Sequence, residues 1–267
     1  MKRVCLVALF VCGLSLPAFA DVTIKMTTSG KGMGMSGKSE GVTYLKGNRM
    51  RTDTQMSGKT HSMIFDLDAQ KLYMFESGKK EADVWDMAAF GKELGSNVDI
   101  SAMKASMKPN GQSKVFGTHT AAGYDMEILL PAAIGGNKEM VFVVTLAGPV
   151  WIVKDAPGAA EYSSFYRAAA EKGWIFGDPR AAKASPGQAK AMAEMYRQFA
   201  DIGGIAYETD MQIKLGSGGG GGGGMMAGLM GRLGNMSAQT LVDSVMTGSL
   251  SDDLFAPPAG HKLNTKK

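Results

Sequence analysis

The chain has 267 residues, 45% of them hydrophobic, and carries 29 Lys and Arg against 25 Asp and Glu for a formal net charge of +4. That length suits one large domain or two small ones, and the basic residues are spread out rather than gathered into a stripe, which argues against nucleic acid or an anionic membrane surface as partner. The only cysteines, Cys5 and Cys12, lie at the very start, so the remainder has no thiol nucleophile, disulfide or thiolate metal ligand.

Lys2 and Arg3 precede an apolar run over 4–16, followed by Pro17 and the small-residue pattern Ala18-Phe19-Ala20, the three-part layout of a secretory signal peptide cut between Ala20 and Asp21. The run is too short to span a bilayer, and no later stretch is long and apolar enough to do so. The expectation is a periplasmic or secreted chain: residues 1–20 are removed, and 21–267 form a single β-rich domain with no transmembrane segment after cleavage. Neither cysteine survives that cut.

Alternation of polar and apolar residues predicts strands over 22–28, 42–56 and 124–130. Segments 63–65 and 72–75 flank a polar, turn-forming stretch and read as a hairpin, and 139–147 with 150–154 read as a second, closed at Gly148-Pro149. The segment 88–107 has poor periodicity and predicts at most one short helix. Over 159–172, Tyr162, Phe165, Tyr166 and Ala169 recur at helical spacing before Gly173. A second helix begins with Ser185 as N-cap, Pro186 at its first position and Gln188 completing a capping box, with Met192, Met195, Tyr196 and Phe199 on one face. A strongly alternating strand over 207–215 then leads into a glycine-rich loop at 216–224 and a last strand near 240–247. Short turns between successive strands predict an antiparallel sheet, with the helices laid on it.

Three motifs carry possible chemistry. Gly32-Met33-Gly34-Met35-Ser36-Gly37-Lys38-Ser39 matches the phosphate-cradling G-x-x-x-x-G-K-S pattern, but that loop needs a helix after it, and residues 40–44 continue into a strand. A hairpin loop is the reading that fits. Methionine is abundant, with 21 in the chain. Its thioether suits Cu(I), which nominates Met33, Met35, His61 and Met63 as an alternative metal site; it also fills adaptable apolar surfaces, the favoured explanation. His61, His119 and His261 are widely separated and have no zinc-site spacing, and no nucleophile elbow or catalytic carboxylate pair stands out. No catalytic residue, enzymatic activity or cofactor is expected.

Several stretches together resemble the bacterial family known as domain of unknown function 4412: Tyr44-Leu45-Lys46-Gly47-Asn48-Arg49-Met50-Arg51, Ile64-Phe65-Asp66-Leu67-Asp68, Gly123-Tyr124-Asp125-Met126, Val150-Trp151-Ile152-Val153-Lys154-Asp155 and Leu254-Phe255-Ala256-Pro257-Pro258-Ala259-Gly260. Met126 and His261 depart from the family pattern. That family is similar to the periplasmic lipoprotein carriers (the LolA-like group). The resemblance implies a mainly β, α+β fold: a curved antiparallel sheet forming a half-open barrel, with two or three helices on its concave side. It also implies a lipid or lipoprotein as partner.

The expected function is therefore a non-enzymatic envelope protein that binds an apolar ligand such as an acyl chain in the half-barrel. Periplasmic copper binding through methionine and a structural or interaction domain with a filled core are the alternatives. On the strands, alternation points Tyr124, Met126 and Ile128 to one side, and Tyr207, Met211 and Ile213 to one side, so these six are the candidate ligand contacts.

Overall fold

The computed structural model describes residues 20–31, 37–95, 104–133, 141–174, 176–184, 186–217 and 236–266. The first six strands, β1 (Val22–Lys31), β2 (Gly37–Lys46), β3 (Arg49–Met56), β4 (Lys59–Asp66), β5 (Lys71–Glu76) and β6 (Glu81–Asp86), form an antiparallel meander. Helix α1 (Met87–Gly95) leads to β7 (Lys104–Phe116), β8 (His119–Ala133) and β9 (Val141–Val153). Three helices follow, α2 (Ala159–Glu171), α3 (Pro179–Ala184) and α4 (Pro186–Ile202), before β10 (Ile205–Ser217) and β11 (Met236–Thr247). A 3-10 turn (Asp252–Phe255) and β12 (Lys262–Lys266) complete the chain order.

All the described strands join one sheet in the order β12-β6-β5-β4-β3-β2-β1-β11-β10-β9-β8-β7, antiparallel except where β12 lies parallel to β6. The pairing of β1 with β11 welds the two meanders together. β7 and β12 are its two edges, so the sheet is an open, curved half-barrel and the chain is mainly β.

Register sets the core. Across the first six strands Val22, Leu45, Met50, Phe65, Leu72 and Trp85 stand in one row, each directly opposite the next. All six are buried and belong to the cluster that contains Phe165, Tyr166 and Ala169 of α2, so this is the side of the sheet the helices cover. Residues between them along each strand point to the other side.

Four features differ from expectation. The stretch 42–56 is two strands rather than one, because Gly47 at φ 54 opens a tight turn with Asn48. The pair Gly148-Pro149 closes no hairpin and lies inside β9. A Cβ on Gly148 would stand 1.8 Å from the Asp210 carbonyl oxygen, and the β9–β10 ladder passes directly from Thr209↔Val150 to Gln212↔Ala147. Glycine and proline mark a close strand approach there, not a turn. The segment 88–107 holds the expected short helix, all but the first residue of α1, and also the unexpected start of β7, an edge strand whose exposed polar residues hide its alternation. Among the described residues there are four helices rather than two or three, because the one-turn-and-a-half α3 is too short to show a period. Gly37-Lys38-Ser39 lies in β2, so the phosphate-loop match has a strand where a helix is required, while residues 32–36 lie outside the described residues. Residues 1–19 of the expected signal segment 1–20, Ser185 and the glycine run 218–224 also lie outside them, while Gly216 and Ser217, expected in the loop 216–224, extend β10.

Candidate ligand-binding face

The helix-covered side of the sheet has two chemically distinct parts. The first lies under α2, where Phe65 meets Trp174 and Phe176 at centroid distances of 6.3 and 5.3 Å. Tyr166 stacks on Tyr196 at 5.1 Å and 9°, with Tyr162 at 4.7 Å and Phe176 at 4.7 Å from the same ring. Burial pushes the Tyr196 phenol up to about 12, helped by the charge Tyr162 would carry, and pushes Tyr162 and Tyr166 up as well, Tyr166 furthest. These hydroxyls stay protonated at neutral pH.

The second part lies under α4. On β8, Tyr124, Met126 and Ile128 are 6%, 5% and 2% exposed and pack with Val150 and Ile152 of β9 and with Ala191 and Met195 of α4. Met107, Met192 and Met211 are partly buried against the same cluster. Strand pairing explains how β10 joins it: Ile128 opposes Leu146, which opposes Ile213, so the β8 residues and Ile213 share one face across β9. Met211, two residues along β10, lies on that face too.

Tyr207 is parted from the other five candidates. A register shift between Ala206 and Glu208 breaks the alternation, and its ring lies 5.7 Å from Phe116 and 6.0 Å from His119 instead of against the methionines. Beside it Glu208, which alternation would place in water, is 7% exposed and pairs with Lys114. Lys114 in turn lies 5.7 Å above the Trp151 ring.

The methionine surface extends beyond the residues the strand pattern nominated. Above the buried row of the first meander, Met63 opposes Met74, and the next residues up, His61 and Glu76, oppose one another. Met26, Met63 and Met74 are partly buried against the core on that same side. They were not legible as a group, since pairing of distant strands brings them together. Of the alternative metal ligands, Met33 and Met35 lie outside the described residues; His61 is exposed with its Nδ1 3.9 Å from Glu76. Hydrogen bonds from Lys59 and Lys79 hold the Glu76 carboxyl below its usual range, so its charge is already engaged. Among the described residues no group of three or more His, Cys, Asp or Glu could hold a metal ion.

At the expected cleavage point, the Ala20 amide donates to Glu161 at 3.3 Å, and the Asp21 carboxylate accepts the Leu250 amide at 2.7 Å. No described helix is long and apolar enough to cross a membrane.

No family model and no curated protein matches the chain. Among solved structures it is similar to PNGF-II in a C2 crystal form, with 10% identity and a TM-score of 0.37 over 92% of this chain, which spans 31% of that one. It is also similar to a domain from Vibrio parahaemolyticus assigned to outer membrane lipoprotein sorting, with 10% identity and a TM-score of 0.32 over 90% of each chain.

Proposed function

We propose that this chain is a non-enzymatic carrier of the cell envelope that holds an acyl chain, free or as the lipid of a lipoprotein, between α4 and the methionine-rich part of its open sheet. One observation carries the reading: methionines from β7, β8, β10 and α4 converge on a single patch of the helix-covered face. Methionine has an unbranched, polarizable side chain that re-packs around irregular apolar shapes, so such a patch accepts an acyl chain without a preformed slot. Burial of each methylene contributes about 0.8 kcal/mol, so roughly a dozen offset the several kcal/mol lost on association.

Tyr124, Met126 and Ile128 touch α4 in the structure, so a ligand reaches them as α4 moves outward. The helix presents Ala191 and Met195 as buried residues and Met192, Phe199 and Ile202 as partly buried ones to this cluster, so the helix slides on a flexible apolar contact rather than on a rigid one. The test is native mass spectrometry of protein purified from the envelope, paired with uptake of a fluorescent fatty acid. The expected result is a retained acyl-chain mass and saturable uptake, both lost in Met211→Asp, which places an unpaired charge on the face. Retained copper in place of lipid moves the function to the methionine sulfurs. Neither lipid nor uptake by the wild type leaves a filled-core interaction domain.

A further inference from the structure

The opposite side of the first meander carries a separate feature. From Leu250 to His261 the chain crosses strands β2 to β5 as a strap: the Leu250 and Leu254 carbonyls accept from Lys46 and Arg51, Asp252 pairs with Arg49, and Phe255 is buried beneath the Arg49 guanidinium. Where the strap ends, at Pro258 and His261, it leaves a cavity of about 570 Å³, within the range of small-ligand sites. Tyr44, Arg51, Asp53, Ser62 and Phe75 form its floor, on the side of the strands facing away from the buried row.

We propose that this cavity is a binding site for a neutral saccharide. Three properties select that class. First, its charges are nearly balanced: Arg51 holds Asp53 at 2.8 Å and Lys79 holds Glu76 at 3.2 Å, which leaves Glu40 as the one charge of the lining in excess, while Lys59 lies outside the lining at 2.6 Å from Glu76. The site therefore has no positive field with which to draw an anion. Second, it is dense in hydroxyl-binding groups. The carboxylate of Asp53 keeps acceptor capacity beyond its Arg51 bond, the Ser62 and Tyr44 hydroxyls both donate and accept, and Nδ1 of His261 is buried with no hydrogen-bond partner. A buried nitrogen left unpaired is costly, so a turn of the His261 ring that brings Nδ1 to the cavity wall would be rewarded by a sugar hydroxyl.

Third, the aromatic groups are arranged for a ring that is polar at its rim and apolar on its face. The Phe75 ring is engaged, with the Arg51 guanidinium 5.5 Å from its centroid and the His261 ring edge-on at 5.9 Å. Phe75 thus fixes the directions of Arg51 and His261. Among the described residues Tyr44 makes no ring contact, which leaves its face for the polarised C–H bonds of a pyranose. An acyl chain, by contrast, would strip water from Arg51, Asp53 and Glu76 and return nothing to them.

The test is saturation-transfer NMR and isothermal titration of the full chain against cellobiose, maltose, trehalose and N-acetylglucosamine, with glucuronate as the anionic control. Saturable binding of at least one neutral sugar is expected, with glucuronate much weaker. His261→Phe keeps the ring on Phe75 and removes Nδ1; Tyr44→Leu removes the aromatic platform. Each should raise the dissociation constant of that sugar at least tenfold, while circular dichroism and fluorescent fatty-acid uptake match the wild type. Absence of binding to all four neutral sugars, preference for glucuronate, or sugar binding untouched by both variants would overturn the assignment.

Discussion

Under α2 the sheet is covered by interlocked rings, Phe65 against Trp174 and Phe176, and Tyr166 against Tyr162 and Tyr196; under α4 the same face of the same sheet meets Met107, Met126, Met192, Met195 and Met211. Rings hold one arrangement because their edges and faces are electrostatically distinct, whereas thioether chains have several rotamers of similar energy. The difference assigns labour: the aromatic part secures the fold, and the methionine part is left able to change shape. The proposed carrier function would need both, since a face that rearranges around a ligand must be attached to one that does not.

The largest effect should come from the aromatic part. Phe65 is 1% exposed and touches two further rings, so Phe65→Ala should lower stability by about 3–5 kcal/mol in denaturant unfolding. Next is the seam where the methionine part depends on backbone contact. Gly148→Ala places a methyl 1.8 Å from the Asp210 carbonyl, and because a ladder cannot yield as a flexible side chain can, a loss near 3 kcal/mol is expected. Hydrogen exchange should show that loss first in β9 and β10. A smaller loss in Gly148→Ala than in a conservative surface change would mean the two strands are not held as the structure places them.

Alkaline pH offers a third way to separate the parts, since Tyr162, Tyr166 and Tyr196, whose phenols burial raises, lie together on the aromatic side, while the raised phenols of Tyr73 and Tyr207 lie outside the methionine cluster. Burial raises the folded-state value of Tyr196 from the ordinary 10.0 to about 12, so its contribution is fully present below pH 10 and is lost as the pH rises toward 12. A shift of that size corresponds to a few kcal/mol at most, on the order of 1.4 kcal/mol per pH unit. Unfolding followed by tyrosinate absorbance should therefore become easier above pH 10. Tyr196→Phe should flatten that dependence, whereas Met195→Leu, one residue away but packed in the other cluster, should leave it intact.

Much of this division could be read in one dimension, and its limits are physical. Alternation alone located Tyr124, Met126 and Ile128 on a common face, and helical spacing located Tyr162, Phe165, Tyr166, Met192 and Met195 on their stripes. Alternation failed at Tyr207, because an inserted residue changes the register without altering composition. It failed at Gly148-Pro149, where the residues that usually make turns permit a close strand contact instead. The opposition of Met63 and Met74 follows from the hairpin read over 63–65 and 72–75, whereas the strap that closes the cavity over strands β2 to β5 with His261 depends on contacts between distant segments that no local pattern encodes.

The smallest effect sharpens the comparison most. Met126 is 5% exposed at the centre of the methionine cluster, opposite Met107 on β7 and Gly148 on β9. Met126→Leu nearly conserves volume and apolarity, so its cost should stay under about 1.5 kcal/mol, well below that of Phe65→Ala. Yet leucine branches at Cγ and loses the soft sulfur and a rotatable bond, so the patch should become less able to re-form around a guest. The expectation is a near-native unfolding midpoint together with weaker uptake of fluorescent fatty acids, more so for long or kinked chains than for short straight ones. The matching change on the other side, Phe65→Leu, should do the reverse, lowering stability while leaving the chain-length profile of uptake alone. If both substitutions move stability and uptake in parallel, the two parts act as one core and the division of labour does not hold.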